Sequence, residues 1–288
     1  MAENKPATPA AKPASASHGK KSSGNLISWI APIGCLILGY LVWRFSMGSA
    51  SNFAQPDAAG GFWPAHRKPT GAWGGIYEGG IIIPILIGMF FMVWVFAIER
   101  LLTIVKAAGS GNTSDFVRKV QYHLANKDVE KAIAECDKQK GSVGNVMKSG
   151  LRTYKEMITD TELSTEQKVL AIQKSVEEAT ALELPMLEKN LVFLSTITSL
   201  ATLVALLGTV MGMIRSFAKL GDESGGSAGA SELAIGISEA LYNTAFGIGT
   251  SALAMFFYNV LTTRIDNITH GIDESGFTLT QSFASLYK

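Results

Sequence analysis

Residues 236–264 read GISEALYNTAFGIGTSALAMFFYNVLTTR. From Ala240 to Thr263 the stretch carries no charged side chain. As a helix rising ~1.5 Å per residue it exceeds the ~30 Å hydrocarbon core of a bilayer. Glu239 and Asn243 stand at its head. An ionisable residue at membrane depth is costly and faces a bundle interior or water. Glu239 lies about two turns from Glu232, so a wetted position at the membrane edge is the alternative reading.

The rest of the chain sets this stretch in context. Apolar residues make up 47% of the 288 residues and charged ones 17%, and the apolar residues are bunched in long runs. That distribution marks a multi-pass membrane protein. Lys+Arg total 25 against Asp+Glu 24, a balance that gives no sign of a nucleic-acid partner. Cys35 lies in an apolar run and Cys136 in a charged segment, so no disulfide between them is expected. The four histidines show no metal-ligand spacing, and no nucleophile motif, phosphate loop or zinc signature occurs. Enzymatic chemistry, a metal and a cofactor are therefore not expected.

Residues 1–25 are rich in Ala, Pro, Ser and Lys and predict a disordered tail. Their lysines precede the apolar run of residues 26–45, which places the tail in the cytoplasm by the positive-inside rule. The run exceeds the ~7–15 residues of a signal-peptide core, which favours a retained helix over a cleaved signal. Residues 46–79, with Trp63, Trp73 and Tyr77, read as a periplasmic linker with aromatic side chains suited to a membrane surface. The second span covers 80–106 and leaves the membrane past Glu99 and Arg100, with Pro84 tolerated in its first turns.

Residues 107–190 show apolar positions at three- and four-residue spacings among mixed charges, the pattern of a small cytoplasmic domain of amphipathic helices. Ser164 followed by Gln167 predicts a capping box at the head of a long helix, and Pro185 predicts a kink or loosened turn in it. The third span covers 191–218, a Gly- and Ser-rich periplasmic loop 219–232, the fourth span 233–263 and a short polar cytoplasmic tail 264–288. The fold class is all-α: long membrane helices extending into a cytoplasmic helical domain.

Ser195, Thr202, Thr209 and Ser216 recur every seven residues and drift only ~20° per step on a helix, forming one hydroxyl stripe. Such a stripe faces another helix or a hydrated path. Close packing by small residues is the plainer reading, and the nearby pair Gly208 and Gly212 suits it. In the fourth span Glu239, Asn243, Phe246 and Thr250 share one face, while Thr244 and Ser251 lie ~100–120° around from it.

ALLGTVMGMIRSF (Ala205 to Phe217) and the stretch quoted first resemble the last two membrane helices of the MotA/TolQ/ExbB proton-channel family, closest to ExbB. IERLLTI after the second run and the helical segment between the second and third runs fit the same pattern, so the likeness covers about residues 78–268. The resemblance implies a homopentamer whose last two helices surround a central pore holding helices of an ExbD-like partner. That partner carries the proton-accepting aspartate, and protons are the coupling ion. Thr209 and Thr244 are implied to face it, with Glu239 as the motif glutamate. The implied role is an inner-membrane motor subunit that energises a TonB-like transducer for transport across the outer membrane. The sequence departs from the family in carrying Thr202 where a proline is frequent, and in its extra N-terminal run. The extra run gives four spans, as in MotA-like stators. TolQ-like and MotA-like roles stay open, as do, at greater distance, a secondary transporter and a structural scaffold.

Overall fold

The computed structural model describes residues 24–55, 67–222 and 227–287. Helices dominate. α1 (Gly24–Leu41) continues as one π-helical stretch, Val42–Met47. A two-stranded antiparallel ladder pairs β1 (Phe53–Gln55) with β2 (Arg67–Pro69). Then come α2 (Ala72–Glu78), α3 (Ile82–Ala107), α4 (Thr113–Ala125), α5 (Val129–Gln139), α6 (Gly141–Thr159), α7 (Thr165–Glu188), α8 (Leu191–Asp222) and α9 (Ser227–Leu286). Four of these helical segments are long and apolar enough to cross a membrane: Ile30–Met47, Ile82–Ala107, Leu191–Ala218 and Leu233–Leu286. The chain is an all-α, multi-pass membrane protein. The tail expected at 1–25 lies, apart from its last two residues, outside the described residues.

α8 and α9 form an antiparallel pair with the most extensive helix–helix interface, and α3 packs on both. α1 packs on α3, where the two backbones meet at glycines: a Cβ on Gly39 would stand 2.6 Å from the Gly88 nitrogen and the Pro84 oxygen. Without side chains at these positions the helices approach more closely than Leu or Ile would allow. Beyond α1 the chain folds back under an aromatic cap. Trp43 stacks on Tyr77 at 4.5 Å and donates Nε1–H to the Tyr77 carbonyl at 3.1 Å, and Phe53 meets the Tyr77 ring edge-on. Residues 46–79 are thus not a bare linker where described: the π-turn, β1, β2 and α2 fold them onto the ends of the membrane helices.

The helical domain forms as its patterning requires. Asn112 caps α4 by accepting from Ser114 N, Asp128 caps α5 by accepting from Lys131 N, and Ser164 and Gln167 form the full capping box of α7. Pro185 lies in the last turn of α7, where the Lys189 N–H still reaches its carbonyl, so it ends the helix rather than kinking its middle. Val120, Leu124, Met147, Leu151, Tyr154 and Ile172 are buried there.

Two boundaries differ from those expected. α8 runs to Asp222 and α9 begins at Ser227, so helix occupies most of the anticipated 219–232 loop; Ala and Ser following the glycines sustain a turn there. At the other end no break occurs at Arg264. α9 is one helix of 60 residues, about 90 Å long, and the expected tail is its final third. The cause is the spacing of Ile265, Ile268, Ile272, Leu279 and Phe283, which are buried against the helical domain. α9 therefore supplies both a membrane helix and a core element of that domain.

Candidate functional site: the crossing of α8 and α9

Thr209 on α8 and Thr244 on α9 meet hydroxyl to hydroxyl. The Thr209 Oγ1 also lies 3.1 Å from the Ala205 carbonyl and 3.2 Å from the Ala240 carbonyl, and the Thr244 Oγ1 lies 3.3 Å from the same Ala240 oxygen. Both residues are half-buried. Small residues on either side bring the helices this close. A Cβ on Gly247 would fall 2.2 Å from the Ala205 Cβ, and one on Gly212 would lie 3.2 Å from the Ala240 Cβ. Of the glycine pair read from the sequence, Gly212 thus shares the α8–α9 interface with Thr209, while Gly208 faces Ile82 and Asn243.

The other predicted residues divide between several surroundings. Ser216 is buried and donates to the Gly212 carbonyl at 2.9 Å, with its Oγ in the space over Gly236. Thr202 is exposed, and Ser195 is exposed at the rim of a cavity of about 290 Å³. The stripe therefore turns from buried at Ser216, through half-buried at Thr209, to open at Thr202 and Ser195, as its slow drift around α8 dictates.

Asn243 points elsewhere. It is 2% exposed and its Nδ2 donates to the Gly79 carbonyl at 3.2 Å, at the turn between α2 and α3. On the same face Phe246 packs against Phe90 of α3 at 5.9 Å, and Thr250 is buried and donates to the Phe246 carbonyl. The face shared by Asn243, Phe246 and Thr250 is a packing face toward α3, whereas Thr244 faces α8.

Glu239 is half-buried in a cleft of about 390 Å³ with Glu78, Thr70, Ser238 and Tyr242. Tyr242 closes the cleft by lying against Gly75, where an added Cβ would be 2.8 Å from its ring. Sequence reasoning did not single out Glu78 or Tyr242. Glu78 lies outside the apolar runs, and only the folding of α2 onto α9 brings it beside Glu239.

A polar joint at the domain end of the bundle was missed as well. Arg100 is 4% exposed, pairs with Glu99 through Nε at 2.6 Å, and donates Nη1–H to the Met186 carbonyl at 3.3 Å. Asn190, between α7 and α8 at φ +66°, donates to the Glu99 carboxylate at 3.3 Å. A charge pair read as a membrane-end marker thus ties α3 to the α7–α8 turn. An Asn directly before the third apolar run was the available signal, since Asn tolerates the left-handed region.

Residues 138–274, which contain this crossing, match the MotA/TolQ/ExbB proton channel family. A biopolymer transport protein, ExbB-like 3, of Synechocystis sp. is 38% identical over 86 residues, covering 30% of this chain and 41% of that protein. The ExbB-like 1 protein of the same organism is 48% identical over 69 residues, covering 24% of this chain and 27% of that one. The matches span less than half the length of either relative. The matched residues include Thr209, Thr244 and Glu239, so the likeness to the MotA/TolQ/ExbB proton channel family extends to the α8–α9 crossing.

Proposed function

We propose that this protein is the ExbB-like subunit of a proton-driven motor in a bacterial inner membrane, its C-terminus in the cytoplasm. In this reading several copies, a homopentamer by analogy with the family, surround the transmembrane helices of an ExbD-like partner. Protons passing an aspartate of that partner drive a TonB-like transducer that opens outer-membrane transporters. The observation that carries the reading is the Thr209–Thr244 hydroxyl pair in the α8–α9 crossing, between the close approaches at Gly212 and Gly247.

The chemistry suits that role. Two hydroxyls offer two protons to the Ala205 and Ala240 carbonyls and to each other, so alternative arrangements of similar energy exist. Their spare lone pairs can accept a hydrogen bond from water or from a protonated carboxyl group. The pair holds no charge, so the titrating carboxylate belongs to the partner, and Glu239 conditions the opposite end of the path from the helical domain. Protons are the coupling ion and no other cofactor is required.

A second reading, a MotA-like stator subunit, draws on α1, which adds a fourth membrane helix. Growth on scarce iron through an outer-membrane receptor separates the two. A deletion strain should regain growth with the wild-type chain and not with a Thr209→Val, Thr244→Val variant that still assembles. Recovery of motility or of envelope constriction instead of iron uptake would assign the chain to the stator or TolQ-like role.

A further inference from the structure

The hydroxyl pair is the first rung of a longer series. Moving seven residues toward the helical domain from Thr209 gives Thr202 and then Ser195 on α8. The same steps from Thr244 on the antiparallel partner give Ser251 and then Tyr258. Seven residues nearly complete two helical turns, so each row stays on one side of its helix. The contacts bear out the register. Ser251 donates its hydroxyl to the Thr198 carbonyl, one turn from Thr202, and Ser195 and Tyr258 line the same 290 Å³ cavity.

That cavity closes the series with different chemistry. Its wall also holds Thr262, Glu188 and Asp266, beside Leu191, Val192 and Ile265. Glu188 ends α7 and is exposed, and Asp266 on α9 is exposed as well. The Thr262 Oγ1 is buried and has no hydrogen-bond partner among the described residues. A buried hydroxyl left unpaired loses its hydration without compensation. Here it borders a space roomy enough for several waters and surrounded by more than the two to four polar groups that hold one.

We infer that this cavity is the proton-release vestibule of the channel. Waters held by Ser195, Tyr258 and Thr262 carry a proton from the threonine pair to the carboxylates of Glu188 and Asp266, which hand it to bulk water. Each carboxylate gains one proton from the water chain and loses one to solvent, so it returns to its starting state. The inference rests on the proton-channel reading and extends it to a site on the domain side of the bundle. Glu188 belongs to α7 and Asp266 to the domain half of α9, so release takes place where the helical domain joins the membrane helices.

The test is proton influx into vesicles that contain the full chain co-expressed with its membrane partner, driven by a potassium diffusion potential and read with an internal pH dye. Glu188→Gln with Asp266→Asn is expected to lower the flux about a hundredfold, the low side of what a positioned acid–base group contributes. Thr262→Val should lower it too, while size-exclusion elution stays that of wild type. Full flux in the carboxylate variant with flux lost in Thr209→Val would overturn the vestibule and keep the channel. Full flux in both would remove the channel reading itself.

Water access provides a readout independent of transport. In a chain with Cys35→Ser and Cys136→Ser, a cysteine replacing Ser195 should react with a membrane-impermeant cationic methanethiosulfonate added on the side of the helical domain. Protection of that position from this side, with the domain folded, would overturn the vestibule.

Discussion

The Thr209 and Thr244 hydroxyls share a single acceptor, the carbonyl of Ala240, which lies one turn before Thr244 on α9. Each side chain thus binds the backbone of the helix that carries the other or its own, and the two helices are registered through one oxygen. Loss of either hydroxyl leaves that carbonyl its regular helical partner. The helix pair should therefore tolerate the loss far better than the proton path does.

Thr209→Val and Thr244→Val each remove a hydrogen bond worth about 1 kcal/mol while keeping the β-branched shape. Thermal unfolding in detergent should shift little, and proton flux and iron-dependent growth should fall sharply. Thr209→Ser and Thr244→Ser retain the hydroxyl and should restore most of the flux. Equal activity of the valine and serine variants would make the pair a packing contact.

The α1–α3 crossing depends on two glycines. Gly39→Val puts a branched side chain where a single Cβ already meets backbone atoms of Gly88 and Pro84 at 2.6 Å. Because backbone cannot yield as a side-chain tip would, the helices must separate, at a cost of about 1–3 kcal/mol. Cysteines placed in facing positions of α1 and α3 should cross-link in wild type and not in Gly39→Val. Persistent cross-linking would show that the crossing tolerates the added bulk.

The spans, the amphipathic domain and the motifs of α8 and α9 were legible because each rests on local pattern: apolar length, a 3.6-residue period, or a spacing of seven. The capping box at Ser164 and Gln167 is equally local. What was not legible depends on contacts distant in sequence. Arg264 looked like the end of a membrane helix, yet nothing in its own turn stops the helix, and α9 continues because Ile268 and Phe283 find cover on the domain. Asn243 looked like a path residue, and only the position of Gly79 shows that it ties α9 to the α2–α3 turn. The cavity of Ser195 and Tyr258 needed both helices in register.

Cys136 is 2% exposed, with its Sγ 3.4 Å from the Ala132 carbonyl, and burial pushes its thiol from 9.0 up to about 12. Near neutral pH the folded protein should hold about a thousandfold less thiolate there than an unfolded chain. Maleimide labelling of Cys136 should be slow until denaturant is added. The thiol is neutral when folded and ionises more readily when unfolded. Its contribution to stability is therefore complete below pH 9.0 and declines as pH rises from there toward 12. Rapid labelling of the native chain would place Cys136 at a surface.

Phe283 gives the sharpest test of the continuous α9. It is fully buried, with the Tyr154 ring edge-on at 4.9 Å and the Tyr287 ring stacked at 5.0 Å. The Tyr287 carbonyl in turn accepts from Thr165 Oγ1 at 3.0 Å, which ties the end of α9 to the start of α7. Phe283→Ala should destabilise the helical domain by about 3–5 kcal/mol, the range for a buried aromatic truncated to alanine. Limited proteolysis of the full chain in detergent should then cut α6 and α7 faster while α8 and the membrane half of α9 stay protected. Unchanged cleavage would mean that residues 264–286 act as a free tail. In that case motion of α9 at the threonine pair would have no rigid route into the domain.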